Sequence, residues 1–178
     1  MRSKLLAQAA NALTLTRFGL AAAWIAIYLA AYAAQLEFLL IAIAATVSDF
    51  FDGRVARRLG VGGGAGRWLD PVADVTFVLA ALGCAAAAGA IPLYIPILIV
   101  ASFSQYVLDS RILHRADSPI RSRLGHYGGV VNYALVLALA IAPPGSIADA
   151  AIKTAAPALA LFYIAAIIER ALAYRSRA

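Results

Sequence analysis

Polar residues in this chain mostly separate long apolar runs. The runs fall at residues 18–34, 36–51, 72–91, 93–108, 128–142 and 154–168. A bilayer crossing takes about 20 apolar residues. Several runs approach that length only when flanking small residues or snorkelling Lys and Arg are included. The pattern predicts an all-α membrane protein, a six-transmembrane-helix bundle with short connections. The second run is unusual because two aspartates, Asp49 and Asp52, sit at its end.

Composition supports this pattern. Of 178 residues 63% are hydrophobic and 13% charged, with a mean hydropathy of +0.84, which leaves no room for a separate soluble domain. A single transmembrane domain over residues 1–178 is expected. Fourteen of the fifteen basic residues fall on alternate connections: Arg2, Lys4 and Arg17; Arg54, Arg57, Arg58 and Arg67; Arg111, Arg115, Arg121 and Arg123; Arg170, Arg175 and Arg177. Only Lys153 falls on the other side. By the positive-inside rule, both termini then face the cytosol. The net charge of +6 is thereby explained by topology and anionic headgroups, and no nucleic-acid partner is expected. The lone Cys84 reads as a small packing residue. Met1–Arg17, the following apolar run and Ala31-Tyr32-Ala33 imitate a secretory signal, but the run is long for one and its removal would spoil the charge alternation; it is expected to remain as the first span.

Four of the nine acidic residues lie around the connection between runs two and three: Asp49, Asp52, Asp70 and Asp74. On helices, the i, i+3 and i, i+4 spacings put each pair on one face. At roughly 1.5 Å rise per residue, both pairs come to one level at the cytosolic edge of the apolar layer. Four carboxylates there require compensation. A hard divalent cation, Mg²⁺ or Mn²⁺, suits an all-carboxylate set with no His or Cys beside it. The alternative is salt bridging to Arg54, Arg57, Arg58 and Arg67, which would not need such regular aspartate spacing. Gly53 and Ala56 leave space for a ligand to approach the helix closely. Gly66 is expected to open the third helix, with Pro71 in its first turn.

The string Asp49-x2-Asp52-Gly53-x2-Ala56-Arg57-x8-Gly66-x3-Asp70-x3-Asp74 resembles the complete signature of the CDP-alcohol phosphotransferase family. Asn11-Ala12-Leu13-Thr14-Leu15-Thr16-Arg17 is similar to the family's opening Asn-x-x-Thr-x-x-Arg, with Ala10 where a proline often stands. The resemblance implies attack of an alcohol on the lipid-side phosphorus of CDP-diacylglycerol, releasing CMP. It implies metal held by Asp49, Asp52, Asp70 and Asp74, with Asp74 as general base. Gly53, Ala56 and Gly66 would pack against the cytidine, and Arg57 would contact the diphosphate through its guanidinium fork. Thr14 and Ser48 could add hydroxyls there, or serve helix packing or capping. The resemblance also implies a homodimer, in a plasma membrane of prokaryotic type, with the site on the cytosolic side.

The acceptor is less constrained. Arg111 and Arg121, in a connection holding four arginines against Asp117, favour a phosphorylated alcohol, glycerol 3-phosphate first. Glycerophosphate-using members usually carry lysine after the last aspartate and this chain has Val75, so inositol phosphate, serine and phosphatidylglycerol stay open. A membrane cation carrier would also gather aspartates within a bundle, but carriers bind near the midplane and show repeats.

Overall fold

The computed structural model describes residues 2–30, 35–59, 66–110 and 123–175, with side chains described within 14–50, 69–110 and 124–172 except 31–34, 111–123 and 126. Among the described residues the chain is all-helical: α1 (Arg2–Leu29), α2 (Gln35–Leu59), α3 (Gly66–Ala87), α4 (Tyr94–Leu108), α5 (Arg123–Ile141) and α6 (Ile147–Arg175). Each predicted run lies largely within one helix. The chain forms two compact units, Met1–Ala81 and Leu82–Ala178, and α3 runs across their boundary.

In the first unit α1 buries Thr14, Arg17, Ala21 and Trp24, a stripe with the three-and-four spacing of one helix face. It packs on α2, which presents Ala42, Ala45 and Ser48. Small residues there let the two backbones approach closely. Trp24 then fills the space near Phe38 of α2, at 4.7 Å between ring centroids, and Phe77 of α3, edge-on at 6.0 Å. Pairing of residue 16 with 48 and of 24 with 38 makes α1 and α2 antiparallel. Pairing of 17 with 70 and of 24 with 77 makes α1 and α3 parallel.

The opposite face of α2 carries Leu36, Leu40, Ile43, Val47 and Phe50, all exposed. This inverts the amphipathic pattern of a water-soluble helix, with small and polar residues inside and large apolar ones outside. On α6 the pattern recurs: Tyr163, Ala166 and Arg170 are buried while Leu161, Ile164, Ile168 and Leu172 are exposed. Among the described residues two segments, Leu69–Ala87 and Ile147–Leu172, are long and apolar enough to cross a membrane, and Thr14–Leu29, Tyr94–Leu108 and Tyr127–Ile141 are shorter apolar helices.

In the second unit α4 and α5 both pack on α6. Gln105 donates to the Ile167 carbonyl at 3.0 Å, and Tyr163 bonds Asn132 at 2.5 Å. The Glu169 carboxylate accepts from the Leu124 N–H at 3.2 Å, placing a negative charge at the start of α5 where the helix dipole favours it. The last two pairings make α5 antiparallel to α6, and the contact of Arg170 with Asp109, just past the end of α4, together with that of Gln105 makes α4 parallel to it. The helix ends follow local rules. Gly89, at φ 73°, closes α3 in a Schellman motif, with Ala90 N–H on the Ala85 carbonyl and Gly89 N–H on that of Ala86. Ser146 caps α6 by accepting from Asp149 N–H at 3.1 Å, and the Asp149 carboxylate accepts in turn from Gly145 N–H at 3.0 Å.

Pro71 departs from expectation. It lies inside α3, five residues past Gly66, and removes the bond that would run back to the residue four before it. Pro157 does the same in α6. Neighbouring helices make such losses tolerable in membrane helices.

Candidate functional site

The site is built in the first unit from three helices. Asp70 and Asp74, one turn apart on α3, face the same way; Asp49 comes from α2; Arg17 comes from α1. One oxygen from each of the three carboxylates lies within 4.8 Å of the others. Arg17 joins them. Its Nη1 donates to Asp70 Oδ1 at 2.7 Å and to Asp74 Oδ1 at 2.6 Å, and its Nη2 lies 3.4 Å from Asp49 Oδ1. One residue earlier on both α1 and α2, the hydroxyls of Thr16 and Ser48 meet at 3.4 Å.

Burial divides this cluster. The Arg17 side chain is 0% exposed, whereas those of Asp49, Asp70 and Asp74 are 42%, 42% and 30% exposed. A ligand approaching from outside therefore meets carboxylate oxygens first, with the guanidinium behind them. A buried guanidinium is tolerable only when paired, and three carboxylates supply that pairing.

Charge placement alone makes Arg17 a flanking, topology-setting residue. The structure corrects this: Arg17 is the largest fully buried side chain among the described residues and the hub of the acidic cluster. Among the described residues, arginine pairing of the aspartates does occur, with Arg17 of the opening motif. The side chains of Arg54, Arg57, Arg58 and Arg67 lie outside the described residues, as do those of Asp52, Gly53, Ala56, Gly66, Arg111 and Arg121. Thr14 is buried one turn before Arg17 on the same face of α1. Arg170, expected to be a flanking charge, is also buried; its Nη1 lies 3.5 Å from Asp109 Oδ2, and its guanidinium lies 4.8 Å from the centre of the Tyr106 ring.

The donor set suits a hard cation. Oxygens sharing one ion at about 2.0–2.6 Å lie at most about 5 Å apart, and Asp49, Asp70 and Asp74 meet that limit. With apolar residues outside and charge inside, the helices and site define a membrane-type helical protein with an acidic centre open on one side.

Residues 7–171 match the model of the CDP-alcohol phosphatidyltransferase family, and the chain belongs to that family. It is thus a membrane-associated transferase of phospholipid synthesis, in a family generally dependent on metal. No curated protein gives a significant match. Family membership leaves no ground for the cation-carrier alternative.

Proposed function

We propose that the protein transfers the phosphatidyl group of CDP-diacylglycerol to an alcohol, releasing CMP, with glycerol 3-phosphate as the first-choice acceptor. The observation that carries the reading is convergence of Asp49, Asp70 and Asp74 from two helices within a chain matched almost throughout by the family. In the reaction the alcohol oxygen forms a bond to the lipid-side phosphorus as the bond from that phosphorus to the CMP oxygen breaks.

Asp49, Asp52, Asp70 and Asp74 would hold Mg²⁺ or Mn²⁺, which when bound supplies neutralisation of the diphosphate and of the charge growing on the departing CMP. Asp74 takes the hydroxyl proton. Arg57 orients the diphosphate through its planar fork. Gly53, Ala56 and Gly66 let the cytidine lie close to the helices, with Thr14 adding a hydroxyl. Arg111 and Arg121 receive the acceptor's phosphate.

The architecture we infer is a single domain over residues 1–178 of six spans, both termini in the cytosol and the site at the cytosolic edge of a prokaryotic-type plasma membrane, assembled as a homodimer. The helix directions within each unit alternate as successive spans require. The inverted faces of α2 and α6 favour lipid contact.

The test is CMP release from CDP-diacylglycerol in detergent with Mn²⁺, supplying glycerol 3-phosphate, inositol 1-phosphate, serine, inositol or phosphatidylglycerol in turn. Activity should vanish with chelator and be highest with glycerol 3-phosphate, and Arg111→Gln or Arg121→Gln should raise the acceptor KM far more than that of CDP-diacylglycerol. Preference for serine, free inositol or phosphatidylglycerol would overturn the acceptor assignment; full turnover in excess chelator would overturn the metal chemistry.

A further inference from the structure

Arg17 is bound to the same three carboxylates that the metal reading requires. Its Nη1 sits within 2.7 Å of both Asp70 Oδ1 and Asp74 Oδ1. A divalent ion held by those carboxylates would draw on the same negative charge that the guanidinium now pairs with. The guanidinium keeps its proton under all ordinary conditions, so it cannot yield its place by becoming neutral. It can give up the carboxylates only by moving, and while it stays its positive charge opposes a second cation.

We infer that Arg17 is a resident counter-ion of the carboxylate triad that competes with the divalent cation, holding α1, α2 and α3 together when metal is absent and giving up its carboxylates when metal binds. This rests on the metal-dependent reading above. It explains why so large a charged side chain is fully buried beneath carboxylates that are themselves partly exposed. Without a cation, three neighbouring carboxylates repel and would push the helices apart. With Arg17 among them the charge is partly compensated from within, and the site persists in a closed-up state.

The test separates competition from mere scaffolding, because a scaffold and a competitor move metal affinity in opposite directions. Purified wild type, Arg17→Gln and Arg17→Lys in mild detergent are titrated with Mn²⁺, and free Mn²⁺ is followed by its electron paramagnetic resonance signal, with no substrate present. Thermal unfolding is measured alongside, with chelator and with saturating Mn²⁺. Arg17→Gln should unfold at lower temperature in chelator yet bind Mn²⁺ about tenfold tighter or more, a difference of about 1.4 kcal/mol. Its gain in Tm on adding Mn²⁺ should exceed that of wild type, as linkage requires of a tighter ligand. Arg17→Lys, a point charge without the fork, should bind Mn²⁺ with affinity between the two.

Equal or weaker Mn²⁺ binding by Arg17→Gln would overturn the inference and make Arg17 a scaffold. Should Arg17→Gln fail to fold, the Arg17→Lys comparison decides: tighter binding than wild type supports competition, and equal or weaker binding overturns it. Failure of all folded forms to bind Mn²⁺ would overturn the metal reading itself, and this inference with it.

Discussion

Replacing Asp70 by asparagine preserves the shape of the side chain and removes one charge, so it tests the acidic centre with little disturbance to packing. Asp70 Oδ1 accepts from Arg17 at 2.7 Å. A hydrogen bond to a charged group contributes about 1.5–3 kcal/mol. Two effects reduce that here. The Asp70 side chain is 42% exposed, so solvent screens it, and losing its charge relieves repulsion from Asp49 and Asp74. Asp49 and Asp74 still pair with Arg17. The net stability loss should be about 1 kcal/mol or less, a fall in Tm of about 2–4 °C for a chain of this size. Metal affinity should suffer far more. Disturbing a residue that merely orients a metal ligand costs about 10–100-fold, so loss of a ligand itself should exceed 100-fold, about 2.7 kcal/mol. The assay is Mn²⁺-dependent CMP release across a metal titration, with unfolding in chelator measured in parallel. Wild-type turnover at wild-type Mn²⁺ would refute the role of Asp70, and collapse of the fold would refute the claim that Arg17 remains neutralised.

Trp24→Ala should destabilise the first unit by about 3 kcal/mol, the low end for a buried tryptophan since helix packing in lipid lacks a hydrophobic drive; a shift below 1 kcal/mol in detergent unfolding would count against Trp24 as the wedge between Phe38 and Phe77. Tyr163→Phe should remove the bond to Asn132 for about 0.6–1 kcal/mol, seen as a lower Tm with CMP release intact. Ser146→Ala should cost about 1 kcal/mol and speed amide exchange in the first turn of α6, and unchanged exchange there would contradict the cap.

The helices were legible because each apolar run is long enough to announce one element, although α1 begins sixteen residues before its run and α6 extends seven residues beyond its run at either end. Asp49, Asp70 and Asp74 were legible too, since two pairs at helical spacing around one connection converge if the helices pack side by side. Arg17 was not. Its environment comes from helices more than thirty residues away in sequence, and charge placement alone makes it a flanking residue. The opening motif marked Arg17 but carried no partner with it. Arg170 escaped for the same reason, since its partners are Tyr106 on α4 and Asp109 just beyond the end of that helix. Gly66 opens α3 as expected, and Pro71 was misplaced only because five residues carry it past the first turn of a helix that starts there.

The alanine face of α2 sets a ruler for the site. Ala42 and Ala45 are fully buried where α1 packs, and Asp49 projects from the same helix about one turn beyond Ala45. Any side chain larger than alanine there must be accommodated by prying α1 and α2 apart, which moves Asp49 relative to Arg17 and α3. A saturation scan of α2 scored for activity should therefore oscillate with the helical repeat, but with the sense reversed from a water-soluble enzyme. Leu36, Leu40, Ile43 and Val47, the bulkiest positions, should accept almost any apolar replacement, while the smallest side chains should be the least replaceable.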